Sequence, residues 1–75
     1  MDNPTEIIPL DDLRSGDTVI IDGVWKTTDR HAIKRCPLIG TSLWGDARGL
    51  HGRTIEVVLF PVWAESGLQG YARQN

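Results

Sequence analysis

The chain of 75 residues has no long hydrophobic run and contains only one cysteine and one phenylalanine. No apolar stretch approaches the roughly 18 residues that a membrane-spanning helix needs. The single cysteine, Cys36, excludes an intrachain disulfide and is typical of a protein from a reducing compartment. Residues 1–6 are acidic and lack the basic segment of a signal peptide. We therefore expect a cytoplasmic protein that makes no contact with a membrane.

Long helices are not expected either, because eight glycines and four prolines in so short a chain favour turns. The composition is 40% hydrophobic and 24% charged, which is typical of a folded globular domain. A chain of this size forms one domain and buries only about 60–65% of its unfolded surface. The core is therefore expected to be small.

Charge is distributed unevenly along the sequence. Residues 1–25 hold six carboxylates against one arginine, whereas residues 26–53 hold six basic side chains against two carboxylates. The net charge of the whole chain is −2. The acidic and basic segments either form two poles or interleave in space and cancel, and the sequence leaves both outcomes open.

The two apolar, β-branched runs around Asp22-Gly23 predict a β-hairpin. This dipeptide fits the positive φ angles of a tight type I′ turn. A two-residue loop fixes the register, so that Ile21 faces Val24 and Ile20 faces Trp25. Both sides of the hairpin then carry apolar side chains to bury.

Further strands follow from alternation and from turn residues. Residues 6–10 fit a short strand in which Pro9 lies on an edge or at a strand end, because proline cannot donate to a strand ladder. Strands are also expected over residues 38–44 and 53–60, the latter ending at Pro61, while residues 29–37 fit a helical turn, a strand or a loop equally well. Trp63 is expected to pack back on the domain.

These elements predict an all-β protein, a small barrel of four to five short antiparallel strands. The expected organisation is a loose N-terminal segment or edge strand over residues 1–9, the barrel over residues 10–63 and a flexible, disordered tail over residues 64–75. The side chains expected to supply the core are Val19, Ile21, Val24, Ile55, Val57 and Leu59.

A resemblance to a known group extends over residues 10–60. The residues that carry it are Leu13-x-x-Gly16-Asp17-x-Val19, Asp22-Gly23, Ile33-Lys34-Arg35, Gly40-Thr41, Trp44-Gly45-Asp46, Gly49 and Gly52. In these positions the chain resembles small SH3-like barrel proteins of bacteriophages and prophages, most of which have no assigned activity. The resemblance implies an SH3-like barrel and a phage accessory protein that lies in the cytoplasm of the host cell.

An enzyme is not expected. The candidate metal ligands His31, Cys36, Asp46 and His51 are scattered over twenty residues without paired spacing. No nucleophile-elbow motif accompanies Cys36, which we interpret as a small apolar filler. The glycines of residues 45–52 lack the lysine and the helix of a phosphate-binding loop. We therefore expect no catalytic residue, metal, cofactor or small-molecule substrate.

Nucleic-acid binding is the alternative function. Basic side chains neutralise phosphates, and exposed tryptophans stack on unpaired bases. The residues that would make these contacts are Lys34, Arg35, Arg48 and Arg53. The isoelectric point of about 5.5 argues against this function, because dedicated nucleic-acid-binding domains are usually basic.

Protein binding, including self-association, is the favoured function. Three tryptophans and one tyrosine exceed what so small a core requires, and interface centres favour these residues. The loop of residues 45–52 combines a cation and an imidazole next to an aromatic side chain on glycine-rich backbone. The predicted partner-binding residues are therefore Trp44, Arg48 and His51.

Overall fold

The structure is a computed structural model that describes residues 3–38, 40–44 and 53–74. The described residues form β1 (Thr5–Pro9), a 3₁₀ turn (Leu10–Asp12), β2 (Thr18–Ile21), β3 (Val24–Thr27), β4 (Ile33–Cys36), β5 (Gly40–Leu43), β6 (Thr54–Ala64) and β7 (Gly67–Arg73). The all-β class is thus confirmed, although with more strands than expected. No helix among the described residues is long or apolar enough to cross a membrane.

The strands form open antiparallel sheets and not a closed barrel. The main sheet has the order β1-β6-β2-β3, and β7 pairs with the outer part of β6. Among the described strands, β4 pairs only with β5. The sheet does not close because β1 and β3 lie at its two ends and pair with no further strand among the described residues. Residues 29–37, which the sequence left open, contribute the strand β4.

The Asp22-Gly23 hairpin is confirmed in both its turn and its register. Asp22 has a φ of 52° and Gly23 a φ of 77°, as a type I′ turn requires. Ile21 pairs with Val24 and Ile20 with Trp25. This hairpin forms the β2–β3 end of the main sheet.

The core lies between one face of the main sheet and the smaller sheet. Its buried side chains are Ile8, Leu10, Leu13, Val19, Leu43 and Val57, and Ile21, Ile33, Ile55 and Leu59 pack against them half-buried. Five of the six predicted core residues therefore belong to it. Val24 does not, because it lies at the tip of the edge strand β3, where 53% of it is exposed.

The last two strands differ most from the expectation. Pro61 does not end β6, which continues to Ala64, and the expected disordered tail over residues 64–75 contains the strand β7. Proline is tolerated because it lies where β6 pairs with no described residue on one side. Leu59 donates its N–H to Pro4 on the β1 side of β6, at 2.8 Å, and Pro61, two residues further on, has its nitrogen on that same side, beyond the end of β1.

Candidate partner-binding surface

Several exposed apolar side chains lie together on a two-stranded ribbon, which we call the arm and define as residues 59–73. Its pairs run from Leu59 with Arg73 to Ala64 with Gly67, and the two-residue turn Glu65-Ser66 connects the strands. β6 has eleven residues and is therefore about 36 Å long. The molecule accordingly measures 46 × 23 × 21 Å, with the arm extending beyond the core.

One side of the arm, its apolar face, carries Pro61, Trp63, Leu68 and Tyr71. Pro61 pairs with Tyr71 and Trp63 with Leu68, and paired residues share one side of a sheet. Trp63 is 68% exposed, and Leu68 and Tyr71 are each 48% exposed. The expectation that Trp63 packs back on the domain is therefore wrong.

The apolar face continues the side of β6 that forms the core. Residues two apart point to the same side of a strand, so Val57, Leu59, Pro61 and Trp63 follow one another along one face. Val57 is fully buried and Leu59 is half-buried, whereas Pro61 and Trp63 are exposed. The smaller sheet and the 3₁₀ turn cover this face in the core and do not extend over the arm.

The opposite side of the arm packs partly against the main sheet, although Val62 on this side is 40% exposed. Its β6 residues are Phe60, Val62 and Ala64, which pair with small residues of β7. Phe60 meets Trp25 of β3 edge to face, with ring centroids 6.2 Å apart and planes at 83°. This aromatic contact joins the arm to the main hairpin, so the two sides of the arm are unlike.

A buried ion pair fixes the base of the arm. Arg73, the last residue of β7, forms a salt bridge with Asp17, which is only 1% exposed. Arg73 also donates from Nη2 to the carbonyl of Asp12 at 2.8 Å, and the backbone N–H of Arg14 donates to Asp17 Oδ2 at 3.0 Å. The hydrogen bond to Asp17 is the largest influence on the guanidinium and raises the pKa of Arg73.

Next to the base is an open, charged cleft of about 410 Å³, lined by Asp11, Asp12, Arg14, Arg35 and Arg73. Arg35 donates from Nη1 to the carbonyl of Asp11 at 2.7 Å and from Nη2 to the carbonyl of Leu13. Thr41 donates from its hydroxyl to Asp11 Oδ1 at 2.7 Å. Arg35 and Arg73 are thus both hydrogen-bonded within the chain. The contacts around the cleft connect β4 and β5 to the 3₁₀ turn.

The residues predicted for partner binding are only partly described. Trp44 is 45% exposed and follows β5 with a φ of 49°. Its ring centroid lies 5.3 Å from Lys26 Nζ, which is a cation–π distance. Arg48 and His51 lie outside the described residues, so this site stays a prediction.

The residues predicted for nucleic-acid binding do not form one described patch. Lys34 and Arg35 are neighbours on β4 and point to opposite sides, and Arg35 is bound to backbone carbonyls. Arg53 is exposed, just before β6, and Arg48 lies outside the described residues. Among the described residues no group of three or more His, Cys, Asp or Glu side chains is placed to hold a metal ion.

Sequence reasoning did not assign Leu68 or Tyr71 to a surface. The signal was present, since Pro61-x-Trp63 and Leu68-x-x-Tyr71 flank the turn-forming residues Glu65-Ser66-Gly67. The second strand was not predicted because Gly67 and Gly70 are typical of a loop.

No family model, no curated protein and no solved structure matches the chain.

Proposed function

We propose that the protein is a non-enzymatic protein-interaction module that binds a partner protein through the apolar face of the arm. The observation that carries the proposal is the exposure of Trp63, Leu68 and Tyr71 on one side of a single ribbon. Tryptophan and tyrosine dominate the energetic centres of protein interfaces. The proposed phage setting, with a host or viral partner, rests on the resemblance of residues 10–60 alone.

The construction of the arm supports binding. An isolated two-stranded ribbon is only marginally stable in water, and this one is held at its base by the Asp17–Arg73 pair and by the Trp25–Phe60 contact. These contacts order the backbone before a partner arrives. A partner that covers the apolar face therefore does not have to order the ribbon first.

The charge of the arm distinguishes a protein partner from a nucleic acid. Residues 59–72 contain one charged side chain, Glu65 at the turn. A surface without cations makes no phosphate contacts, so its affinity for a partner should change little with salt. The rival function would depend on the basic side chains outside the arm and should weaken steeply as salt rises.

The test is capture of partners by the tagged chain from lysate of the source cell, with and without nuclease and at two salt concentrations. We expect a specific protein whose recovery resists both nuclease and moderate salt. Trp63→Ala should weaken binding of that protein by about 2 kcal/mol or more, which is roughly a 30-fold loss of affinity. Leu38→Ala is the matched control, because Leu38 is an 85% exposed apolar residue outside the arm.

Two results would reject the proposal. Recovery of nuclease-sensitive nucleic acid without a specific protein would favour the rival function. A protein that is lost with Trp44→Ala and retained with Trp63→Ala would move the site to the loop predicted from the sequence.

A further inference from the structure

We propose that a second copy of the chain pairs with the free edge of β7, in antiparallel orientation, so that two arms form one four-stranded sheet. This inference rests on the proposed function in one respect, that the arm is an interaction element. It assigns a second copy of the chain to the edge of the arm, whereas the apolar face remains available to a different protein.

The backbone of β7 presents hydrogen-bonding groups away from β6. On β6, the N–H of Leu59 donates to the carbonyl of Pro4, and the carbonyl of Leu59 accepts from the side chain of Asn3. Both groups lie on the side of β6 opposite β7. The pairs Leu59–Arg73 and Pro61–Tyr71 are therefore non-hydrogen-bonded pairs of the β6–β7 ladder. The N–H and carbonyl of Tyr71 thus point outward, and β7 pairs with no described strand other than β6.

Apart from the bulge opposite Val62 and Trp63, the β7 edge lacks the features that normally prevent strands from associating. Native edge strands carry charges or prolines, which discourage the addition of a further strand. Residues 67–72 contain neither. The only charged residue of β7, Arg73, is bound to Asp17.

The other described edges are protected. β1 contains Glu6 and Pro9, β3 contains Lys26, and β4 contains Lys34 and Arg35. β5 has only four residues, and short edge strands offer little backbone for a further strand to pair with. The opposite edge of the arm itself carries Pro61, which cannot donate. This asymmetry selects the β7 edge.

A second copy fits this edge better than an unrelated strand. Antiparallel pairing of two identical strands is closed by a twofold axis, so the complex stops at a dimer. The arms bring no like charges together, since Glu65 lies at the far turn of each ribbon. Pairing also converts two marginal two-stranded ribbons into one sheet of four strands. Both apolar faces then lie on the same side of that sheet.

The test uses the full chain in sedimentation experiments over a range of concentrations, together with amide hydrogen exchange. We expect a concentration-dependent dimer. The amide of Tyr71 should become protected as the dimer forms, whereas the amides of Gly70 and Ala72 are protected at every concentration because they bond to β6. A chain that stays monomeric up to about 1 mM, or a dimer in which the Tyr71 amide exchanges freely, would overturn the inference.

Two variants of Tyr71 distinguish dimerisation through the β7 edge from dimerisation through the apolar face. Tyr71→Pro removes the outward N–H and no bond to β6, so the dimer dissociation constant should rise at least about tenfold, since both copies lose a hydrogen bond. Tyr71→Ala keeps the N–H and should dimerise like the original chain. Protection of the Gly70 and Ala72 amides reports that the arm is folded in each variant. Dimerisation of Tyr71→Pro with unchanged affinity would contradict edge pairing.

Trp63→Ala separates the inference from the proposed function. It should abolish capture of a partner protein and leave the dimer intact, because Trp63 lies on the face and not on the β7 edge. A dimer that captures no protein would reject the proposed function alone. A monomer that captures a protein through Trp63 would reject the dimer alone.

Discussion

The junction between the core and the arm depends on one buried carboxylate. Asp17 accepts from the backbone of Arg14 and from the side chain of Arg73, and its own carbonyl accepts from Thr28 at 2.8 Å. A charge in such a place must be paired, because an isolated buried carboxylate costs several kcal/mol. The sequence indicates a turn at Ser15-Gly16-Asp17, but a partner 56 residues away cannot be read from local pattern.

Arg73→Ala should therefore destabilise the fold by about 3 kcal/mol, measured as the change in the free energy of unfolding in urea. Arg53→Ala is the control, because Arg53 is exposed, and it should change stability by less than about 0.5 kcal/mol. Folding raises the pKa of Arg73, so its contribution is complete below the unfolded pKa and is lost only as pH rises through the folded value. The penalty should therefore be equal at neutral and mildly alkaline pH. Equal stability of Arg73→Ala and Arg53→Ala would show that Asp17 is paired in some other way.

Among the elements, the β2–β3 hairpin shows which structural features can be predicted from the sequence and which cannot. Asp22-Gly23 is a strong local signal because the turn demands positive φ at both positions, which few residues tolerate. The turn type, the register and the side of each residue follow from that signal alone. Burial does not, since Val24 is 53% exposed and no described strand pairs with β3 on its outer side.

Gly23→Val should destabilise the protein by about 1–2 kcal/mol, measured by chemical denaturation. A side chain at Gly23 would meet no atom within 4 Å, so the cost arises from its φ of 77° and not from a clash. Gly23→Asn should cost less, because asparagine tolerates the left-handed region. If both variants unfold at the midpoint of the original chain, the turn does not adopt these angles.

The β6–β7 ribbon shows where local pattern fails. Proline usually terminates a strand, yet Pro61 is accommodated because its nitrogen lies on the side of β6 where no described residue pairs with it. Two glycines, Gly67 with a φ of 119° and Gly70 with a φ of 159°, are typical of a loop and here lie in β7 on either side of a bulge. Such a strand is specified largely by the partner it pairs with, so its glycines outweighed the hairpin signal of the apolar residues that flank Glu65-Ser66-Gly67.

At the scale of the whole molecule, the structure separates into a core and an arm. The residues that form the buried core cluster come from residues 8–57, and only Leu59 of the arm packs against that cluster. The three tryptophans are exposed to more than two fifths each, so the core is aliphatic. The sequence left open whether these tryptophans fill the core or form an interface, because composition gives the number of aromatic residues and not their position.

This separation predicts that the core folds without the outer arm. Replacement of residues 61–71 by Asn-Gly would join Phe60 to Ala72, which already pair and bond to each other, through a two-residue turn. The shortened chain keeps Leu59, Phe60 and the Asp17–Arg73 pair. We expect cooperative unfolding within about 1 kcal/mol of the original stability, because a two-stranded ribbon contributes little by itself. Capture of a partner and dimer formation should both be lost. An unfolded or aggregated product would show instead that the arm is required for the fold, and its exposed aromatic side chains would then need an explanation other than binding.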